Sequence, residues 1–336
     1  MNSFDDEVGK LKPLTGMEMM MSMKTDDEVM ESIALAEVIW HSLIVKGHMI
    51  VICAQPNGGK TTIFIECAKD LSADGFDVLY VNADAGAGDM KRYHDHAKAH
   101  GYSLIAPDLM TGKSPEDVVA ALKVMSNSEA NLNNTVIILD TLKKFVDVIS
   151  KSQAKQLYKV FRSLTAKGVT IIVLAHTNKY NDLEGKPIYE GTGDIRSDFD
   201  ELIYLIPVKN ADGSLTVSTN IDKNRAEGLT EMTFTIGADR SVTVRDEFID
   251  TIVINKVKHS LQKDQQLLEF IESQVKFISK SQSELQTLGL KQGFSKREVR
   301  RVLIDYSKPD SIRPIFIAIP NRTGGFNYGI RAKKDE

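Results

Sequence analysis

The 336-residue sequence has little cysteine and no long apolar run. Its two cysteines, Cys53 and Cys67, lack the spacing of a metal site or a disulfide framework, which excludes a cysteine-rich secreted module. No stretch approaches the roughly 18 apolar residues that cross a bilayer. The acidic first residues also lack the pattern of a signal peptide. These absences predict a protein of the reducing cytoplasm with no membrane partner.

Basic residues are concentrated near the C-terminus, although the whole chain has a formal net charge of only −4. Residues 251–336 contain 16 Lys and Arg against 9 Asp and Glu, a charge of +7, and the rest contains 26 against 37, or −11. A basic segment on an acidic body favours a polyanionic partner for that segment. A solvated, lysine-rich surface is the alternative.

Continuous apolar segments alternate with helical segments from residue 48 onward. The predicted strands are residues 48–54, 77–83, 135–141, 169–177 and 200–209. Because these strands are apolar on both faces and separated by helices, they predict a mainly parallel sheet that is covered on both sides. Alternating residues after the last strand predict antiparallel hairpins at the edge of that sheet.

Three regions follow from this pattern. Residues 1–31 are predicted to be a flexible arm, whose Met17–Met23 cluster is either a short helix packed on the main domain or a partner-binding patch. Residues 32–255 form the α/β domain, which begins with a helix at 32–44. A composition shift over residues 255–265 predicts a linker to a smaller domain at 262–336.

The segment VICAQPNGGKTTIF, residues 51–64, resembles the phosphate-binding pattern G-x-x-x-x-G-K-[ST] without its first glycine. Alanine takes that place at the strand end, before tight turning begins, so the substitution is expected to matter little. The strand–loop–helix setting favours an ATP site, because backbone N–H groups at a helix N-terminus bind phosphate. The predicted nucleotide-binding residues are Ala54, Gln55, Pro56, Asn57, Gly58, Gly59, Lys60, Thr61 and Thr62.

Polar residues at strand ends complete the predicted site. We expect Lys60 to project from the core and reach the β/γ-phosphates, and the Thr61 hydroxyl and Asp140 to bind Mg²⁺. Asp84 follows another strand and is the candidate for orienting the attacking water, with Asp89 as its competitor. His176 ends the next strand, where it either senses the γ-phosphate or is an ordinary core histidine.

The motifs AQPNGGKTT, NAD, LDTLKKF, VLAHTNK and DKNR occur in the order of RecA-like ATPases. Over residues 35–255 the chain most resembles plasmid RepA-type and DnaB-type replicative helicases. This resemblance implies a ring, usually a hexamer, that encircles or tracks nucleic acid and hydrolyses ATP between subunits. The residues that match functional positions of the family are Lys60, Thr61, Asp140, His176 and, as a finger acting on the neighbouring subunit, Arg225. The family usually has glutamate where Asp84 stands.

Lys223 and Arg225 lie two residues apart at the end of a strand. Such residues point the same way, so the two cations are expected to project together. In a ring they would lie against the neighbour's nucleotide. The alternative is a solvated hairpin end in which Arg225 pairs with Glu227.

Two loops are expected to face the pore of a ring, residues 143–153 and 178–196. The second contains Lys179, Tyr180, Lys186 and Tyr189, which suit single-stranded DNA. Its acidic residues, Asp182, Glu184 and Glu190, weaken the electrostatic case. A surface loop that becomes ordered on assembly is the alternative.

Residues 262–336 show three helical segments followed by a hairpin. Ser295 and Glu298 form a capping-box pattern at the start of helix 295–306. Its apolar face contains Val299, Val302 and Leu303, and its opposite face Lys296, Arg297, Arg300 and Arg301. The hairpin tip falls at residues 322–324. This order predicts a winged helix, with 295–306 as the recognition helix for duplex DNA; protein docking is the alternative.

The sequence therefore predicts an α/β, RecA-like P-loop NTPase with a small C-terminal winged-helix domain. The expected activity is Mg²⁺-dependent ATP hydrolysis in a homo-oligomeric ring around single-stranded DNA, as in a plasmid or phage replicative helicase. One alternative is an ATP-switched DNA-binding or recombination-mediator protein that does not unwind DNA. Another is a regulatory scaffold ATPase whose winged helix binds only protein.

Overall fold

Strands and helices alternate along the chain in the computed structural model, which describes residues 15–27, 36–107, 109, 112–182, 185–191, 194–308, 313–322 and 324–331. The strands are β1 Val38–Trp40, β2 Ile44–Val45, β3 Met49–Ala54, β4 Asp77–Asn82, β5 Ser103–Ile105, β6 Thr135–Asp140, β7 Thr170–His176, β8 Glu201–Lys209, β9 Leu215–Lys223, β10 Thr233–Ile236, β11 Val242–Val244, β12 Lys280–Ser281, β13 Phe316–Pro320 and β14 Phe326–Ile330. The helices are α1 Gly16–Ser22, α2 Lys60–Ala73, α3 Ala87–His100, α4 Pro115–Asn127, α5 Lys151–Thr165, α6 Asp194–Asp198, α7 Thr251–Val275, α8 Gln282–Lys291 and α9 Lys296–Asp305.

Strands β3 to β11 form one sheet in the order β11-β10-β9-β8-β3-β7-β6-β4-β5. The strands from β8 to β5 in that order run parallel. The remaining strands, β9 to β11, continue the sheet in antiparallel fashion at its edge. The predicted parallel sheet and edge hairpins are thus confirmed. Strand β5 was not predicted, because three residues are too few to show a hydrophobic pattern.

Both faces of the parallel sheet are buried. Every residue of β3 and β6 is buried, and alternate residues of β3 pack toward Phe64 on one face and Phe161 on the other. Each such side chain contributes about 1.5–3 kcal/mol by burial. The parallel direction brings the loops that follow β3, β4, β6 and β7 to one edge of the sheet, which we call the carboxyl edge.

Residues 36–45 form a β-hairpin, so the predicted helix at 32–44 is wrong over this stretch. Strands β1 and β2 pair antiparallel, with His41 in the turn at a φ of 45°. Trp40 is buried and its ring stacks on Phe234 at 5.9 Å. Packing against the sheet therefore overrides the helical spacing of the apolar residues. Residues 32–35 lie outside the described part of the chain.

The methionine cluster forms helix α1, which is capped by mutual hydrogen bonds between Thr15 and Glu18. None of the residues of α1 is buried, and Met17 is 74% exposed. The expected packing of this helix on the main domain is therefore wrong. Residues 1–14 and 28–31 of the predicted arm lie outside the described ranges.

Helix α7 connects the large sheet to a second hydrophobic core. At its start, Thr251 Oγ1 and Asn255 Nδ2 donate hydrogen bonds to carbonyl oxygens of β8. Near its end, Leu267 and Ile271 are buried in the second core. The predicted linker at 255–265 is thus a helical connection. Within the described ranges, no helix is both long and apolar enough to span a bilayer.

The second core lies among α7, α8, α9 and an antiparallel sheet of order β12-β14-β13. Ser295 caps α9 through Glu298 as predicted, and the predicted apolar residues of α9 are all buried: Val299, Val302 and Leu303. The predicted hairpin is formed by β13 and β14; its tip residue 323 is outside the described chain.

Arg301 on α9 is exposed like the other predicted cations of this helix, but it also forms an ion pair with α7. Its guanidinium donates to both carboxylate oxygens of Asp264, at 2.9 and 2.5 Å, and the Tyr306 hydroxyl donates to the same carboxylate at 3.1 Å. Asp264 is 3% exposed, and the hydrogen bonds from Arg301 lower its pKa. Arg301 therefore anchors α9 to α7, although it is exposed like Arg297 and Arg300.

Candidate functional site

The loop between β3 and α2 wraps tightly around the N-terminus of α2. Ala54 is still the last residue of β3, so the alanine takes the place of the missing glycine before the turn begins, as expected. A Cβ at Gly58 would lie 2.8 Å from the Gln55 carbonyl oxygen, and one at Gly59 would lie 2.5 Å from Ile236 Cδ1. Gly59 also has a φ of 90°, which favours glycine. The path of this loop therefore requires both glycines. Its backbone N–H groups at the N-terminus of α2 can donate hydrogen bonds to an anion.

A cavity of about 510 Å³ opens above this loop at the carboxyl edge. Its wall includes loop residues 56–62 together with Asp84, Asp140 and His176. These three side chains follow or end three different strands, and the parallel sheet brings them together as the sequence predicts. The cavity is large enough for a nucleotide, since small-molecule sites typically occupy about 300–1,000 Å³.

Lys60 is buried at 5% exposure, contrary to the expectation that it projects from the core. Its Nζ donates to the carbonyl oxygens of Ala54 at 3.0 Å and Gln55 at 3.3 Å. The same atom lies 3.4 Å from His176 Nδ1. Burial lowers the pKa of Lys60, so its charged form is costly here and an anion beside it would offset that cost.

Asp140 accepts three hydrogen bonds on Oδ2, from Thr61 Oγ1 at 2.7 Å, the Tyr80 hydroxyl at 2.9 Å and Asn82 Nδ2 at 3.3 Å. Among the described residues, none donates a hydrogen bond to Oδ1. Burial raises the pKa of Asp140, and a nearby cation would stabilise its charged form. A hydroxyl and a carboxylate are the oxygen ligands that Mg²⁺ prefers, so this pair fits the ion.

Two further polar atoms of the cavity wall, Thr141 Oγ1 and His176 Nε2, are buried without a hydrogen-bond partner in the described chain. Buried polar atoms are nearly always paired, and phosphate oxygens would supply such partners. Burial, followed by the charge of Lys60, lowers the pKa of His176 to about 4. His176 is therefore neutral at pH 7 in this structure. Its place in the cavity wall distinguishes it from an ordinary core histidine.

Asp84 and Asp89 both line the cavity. Asp84 lies 3.2 Å from Lys144 Nζ, and its charge acts on Lys60, Asp140 and His176. Asp89 lies in the first turn of α3, where it pairs with Arg92 at 3.1 Å. The surroundings of Asp84 favour it as the carboxylate of this site.

Lys223 and Arg225 lie at the opposite, amino edge of the sheet. Lys223 Nζ donates to the carbonyl oxygens of Arg196, Ser197 and Phe199. Arg225 Nη1 donates to Asp200 Oδ1 at 2.8 Å and not to Glu227, the partner in the sequence-based alternative. Asp200 N donates to the carbonyl oxygen of Met49, the first residue of β3. The six residues of β3 rise about 3.3 Å each, so roughly 20 Å of strand separates these cations from the phosphate loop of their own chain.

Sequence analysis missed several residues of the cavity wall, among them Asn82, Tyr93, Thr141 and Arg240. Asn82 ends a buried strand, the same signal that identified Asp140 and His176, so it could have been found. Tyr93 on α3 and Arg240, in the turn between β10 and β11, carry no motif. Arg240 reaches the phosphate loop only because the antiparallel extension of the sheet brings Ile236 of β10 against Gly59.

Residues 17–182 match the sequence model of a family described as an AAA domain. DNA repair protein RadA of Bacillus subtilis (strain 168) is 24% identical over 201 residues, which cover 56% of this chain and 42% of RadA. The chain thus spans less than half the length of that relative. The flagellar accessory protein FlaH of Methanocaldococcus jannaschii has 18% identity and a TM-score of 0.44 over 61% of this chain and 92% of FlaH. The AAA-domain match covers just under half of the chain, and the largely parallel α/β sheet fits a RecA-like P-loop NTPase.

Proposed function

We propose that the protein is an ATP-dependent, DNA-associated ring motor that works as a replicative helicase of plasmid or phage type. The observation that carries the ATPase assignment is the cavity in which the phosphate loop meets Asp84, Asp140 and His176. The cavity combines the groups that ATP hydrolysis needs: backbone amides that bind phosphate, oxygen ligands for Mg²⁺ and a carboxylate that can orient the attacking water. The proposed association with DNA is supported by the resemblance to ring helicases and by the similarity to RadA, which is named a DNA repair protein.

In the proposed site, backbone amides of the loop hold the phosphates, and Lys60 leaves its two carbonyl partners to reach the β/γ-phosphate oxygens. Asp84 accepts a hydrogen bond from the attacking water and orients it toward the γ-phosphorus. His176 contacts the γ-phosphate through Nε2, which has no hydrogen-bond partner among the described residues. Thr61 and Asp140 would hold Mg²⁺, which neutralises charge on the phosphates when bound.

Asp84→Asn should bind ATP normally and hydrolyse it about 100-fold more slowly, because the amide no longer orients the water as a carboxylate does. Single-turnover hydrolysis and nucleotide affinity are the two measurements. Asp89→Asn is the matched control and should stay within about threefold of the parent protein. The opposite pattern would transfer the role to Asp89 on α3.

The position of Arg225 supports hydrolysis between subunits. Arg225 and Lys223 lie at the amino edge, and the phosphate loop lies at the carboxyl edge. A head-to-tail contact brings two different surfaces of identical chains together, and it closes into a ring when the rotation allows. In such a ring, the arginine of one subunit stabilises charge on the phosphoryl group held by the next.

Single-stranded DNA is assigned to the loop that follows β7. The two ends of this loop pair: Asn178 N donates to the Ile188 carbonyl oxygen at 2.6 Å, and Glu190 N donates to the carbonyl oxygen of His176 at 2.9 Å. The loop is thereby joined to the residue that contacts the γ-phosphate in the proposed site. Tyr180 is 76% exposed beside Lys179, an arrangement suited to base stacking and phosphate contact.

Duplex DNA is assigned to the C-terminal region, which we describe as a winged helix. The order of α7, β12, α8, α9, β13 and β14, with its three-stranded sheet, supports that description. Helix α9 would enter the major groove with Lys296, Arg297 and Arg300. These residues are exposed, whereas Arg301 is engaged with Asp264.

The double variant Arg297→Ala/Arg300→Ala should weaken duplex binding and reduce its salt slope by about two units, since each phosphate contact contributes about 0.9. The matched control, Lys155→Ala/Lys159→Ala, removes the same charge from exposed positions on α5 and should leave the slope unchanged. Binding is measured by fluorescence anisotropy over a salt series. An unchanged slope in the α9 variant would favour protein docking.

Strand displacement tests the helicase assignment directly. The protein with ATP and Mg²⁺ should separate a forked duplex, and Lys60→Ala should not. The similarity to a DNA repair protein favours a second candidate, an ATP-switched DNA-binding or recombination-mediator protein. Hydrolysis stimulated by single-stranded DNA without any strand separation would support that candidate and contradict the helicase assignment.

A further inference from the structure

Asn82 contacts two of the aspartates that line the cavity, the side chain of Asp140 and the backbone of Asp84. It is the last residue of β4 and is 1% exposed. The parallel register places it beside Asp140, the last residue of β6. Asp84, which orients the water in the proposed function, follows it by two residues.

The two ends of the Asn82 amide make different contacts. Nδ2 donates to Asp140 Oδ2 at 3.3 Å. Oδ1 accepts from the backbone N–H groups of Asp84 and Ala85, both at 3.0 Å. One side chain thus connects the carboxylate assigned to Mg²⁺ with the backbone that carries Asp84.

Tyr80 provides an internal comparison, because it contacts only the first of these two partners. Its hydroxyl donates to Asp140 Oδ2 at 2.9 Å. Asp140 Oδ2 would therefore keep hydrogen bonds from Tyr80 and Thr61 if Asn82 were shortened. The loop at Asp84 and Ala85 would lose the acceptor for both of its N–H groups.

We infer that Asn82 is a positioning residue, which holds the loop of Asp84 at a fixed place relative to Asp140. This inference rests on the proposed hydrolytic role of Asp84. Because Asn82 acts through the loop, its loss should change turnover and leave nucleotide affinity nearly unchanged. A misplacement of about 1 Å at a reacting group can reduce a rate about 100-fold, so an effect of about 10- to 100-fold is expected for Asn82→Ala.

The test is a double-mutant cycle of Asn82→Ala and Asp84→Asn, measured as kcat, KM for ATP and thermal unfolding in the full chain. Asn82→Ala alone should lower kcat about 10- to 100-fold with KM within about threefold. In the Asp84→Asn background it should lower kcat by less than about threefold, since residues that act through one another are not additive. Tyr80→Phe should keep kcat within about threefold.

Asn82→Asp is the second variant and guards against a folding failure of Asn82→Ala. It retains an acceptor for the two loop N–H groups but places a second carboxylate against Asp140. Mg²⁺ offsets the repulsion between the two carboxylates, so Asn82→Asp should retain more of kcat than Asn82→Ala only at saturating Mg²⁺. Normal turnover in Asn82→Ala, equal losses in both backgrounds, or a lower kcat in Asn82→Asp than in Asn82→Ala at saturating Mg²⁺ would overturn the inference. Normal turnover in Asp84→Asn would contradict the proposed function itself, and the inference would fall with it.

Discussion

Replacing Arg225 with alanine should leave ATP binding intact and reduce hydrolysis about 10³- to 10⁵-fold, the range for an arginine that stabilises a transferring phosphoryl group. The expectation depends on where the residue lies. Arg225 is at the amino edge of the sheet and cannot reach the nucleotide of its own chain. A loss of turnover with retained binding would therefore require a second subunit.

Asp200 provides the control for this experiment. Its carboxylate, 5% exposed, is shared by Arg225 at 2.8 Å and Arg162 at 2.8 Å. If the effect of Arg225→Ala came from disturbing Asp200, Arg162→Ala would show it as well. We expect Arg162→Ala to retain turnover within about tenfold, because in this account only Arg225 acts on phosphate.

Mixing separates catalysis in trans from a folding defect. Arg225→Ala subunits keep an intact phosphate loop, and Lys60→Ala subunits keep an intact arginine. Mixed assemblies should regain part of the activity that each variant lacks, because some interfaces pair one intact element with the other. Full activity of Arg225→Ala alone, or an inactive mixture of the two inactive variants, would contradict the ring mechanism.

Lys60→Ala should reduce hydrolysis at least about 100-fold, while the protein remains folded. The size of the effect follows from losing a preorganised donor to developing phosphate charge. The fold should tolerate the change, since both carbonyl partners of Lys60 keep other donors: Thr177 N donates to the Ala54 carbonyl oxygen at 3.2 Å and Gly58 N to that of Gln55 at 3.0 Å. Turnover and the midpoint of thermal unfolding are the two measurements.

Lys60→Met and Lys60→Arg are the matched variants. Methionine keeps much of the length and packing of the buried stem without the charge, and it should be as inactive as alanine. Arginine keeps the charge but carries a bulkier head group into a position that is 5% exposed, so partial activity is expected. Hydrolysis by Lys60→Met within threefold of the parent protein would contradict the assigned role of the loop.

The parallel sheet and the main part of the site could be predicted because both depend on local patterns. Buried parallel strands are apolar throughout, and polar residues at their ends must meet at the carboxyl edge. Asp140 and His176 were found in this way. Asn82 carries the same signal and was missed because an amide is not a typical Mg²⁺ ligand or base.

Other features depend on contacts between segments that are distant in sequence. The hairpin at residues 36–45 has apolar spacing that also suits a helix, and the contact of Trp40 with Phe234 decides between them. The sequence pattern of α9 does not distinguish Arg301 from Arg297 and Arg300, because its partner Asp264 lies 37 residues earlier. The buried position of Lys60 likewise follows from the path of its own loop, which no residue pattern specifies.

The most direct test of the central claim is steady-state ATP hydrolysis by the unmodified protein with Mg²⁺, measured with and without single-stranded DNA. The account predicts Mg²⁺-dependent turnover that increases when single-stranded DNA is added, since the loop assigned to DNA is joined to His176 at the nucleotide site. Absence of hydrolysis under both conditions would contradict the assignment of the cavity as an ATPase site.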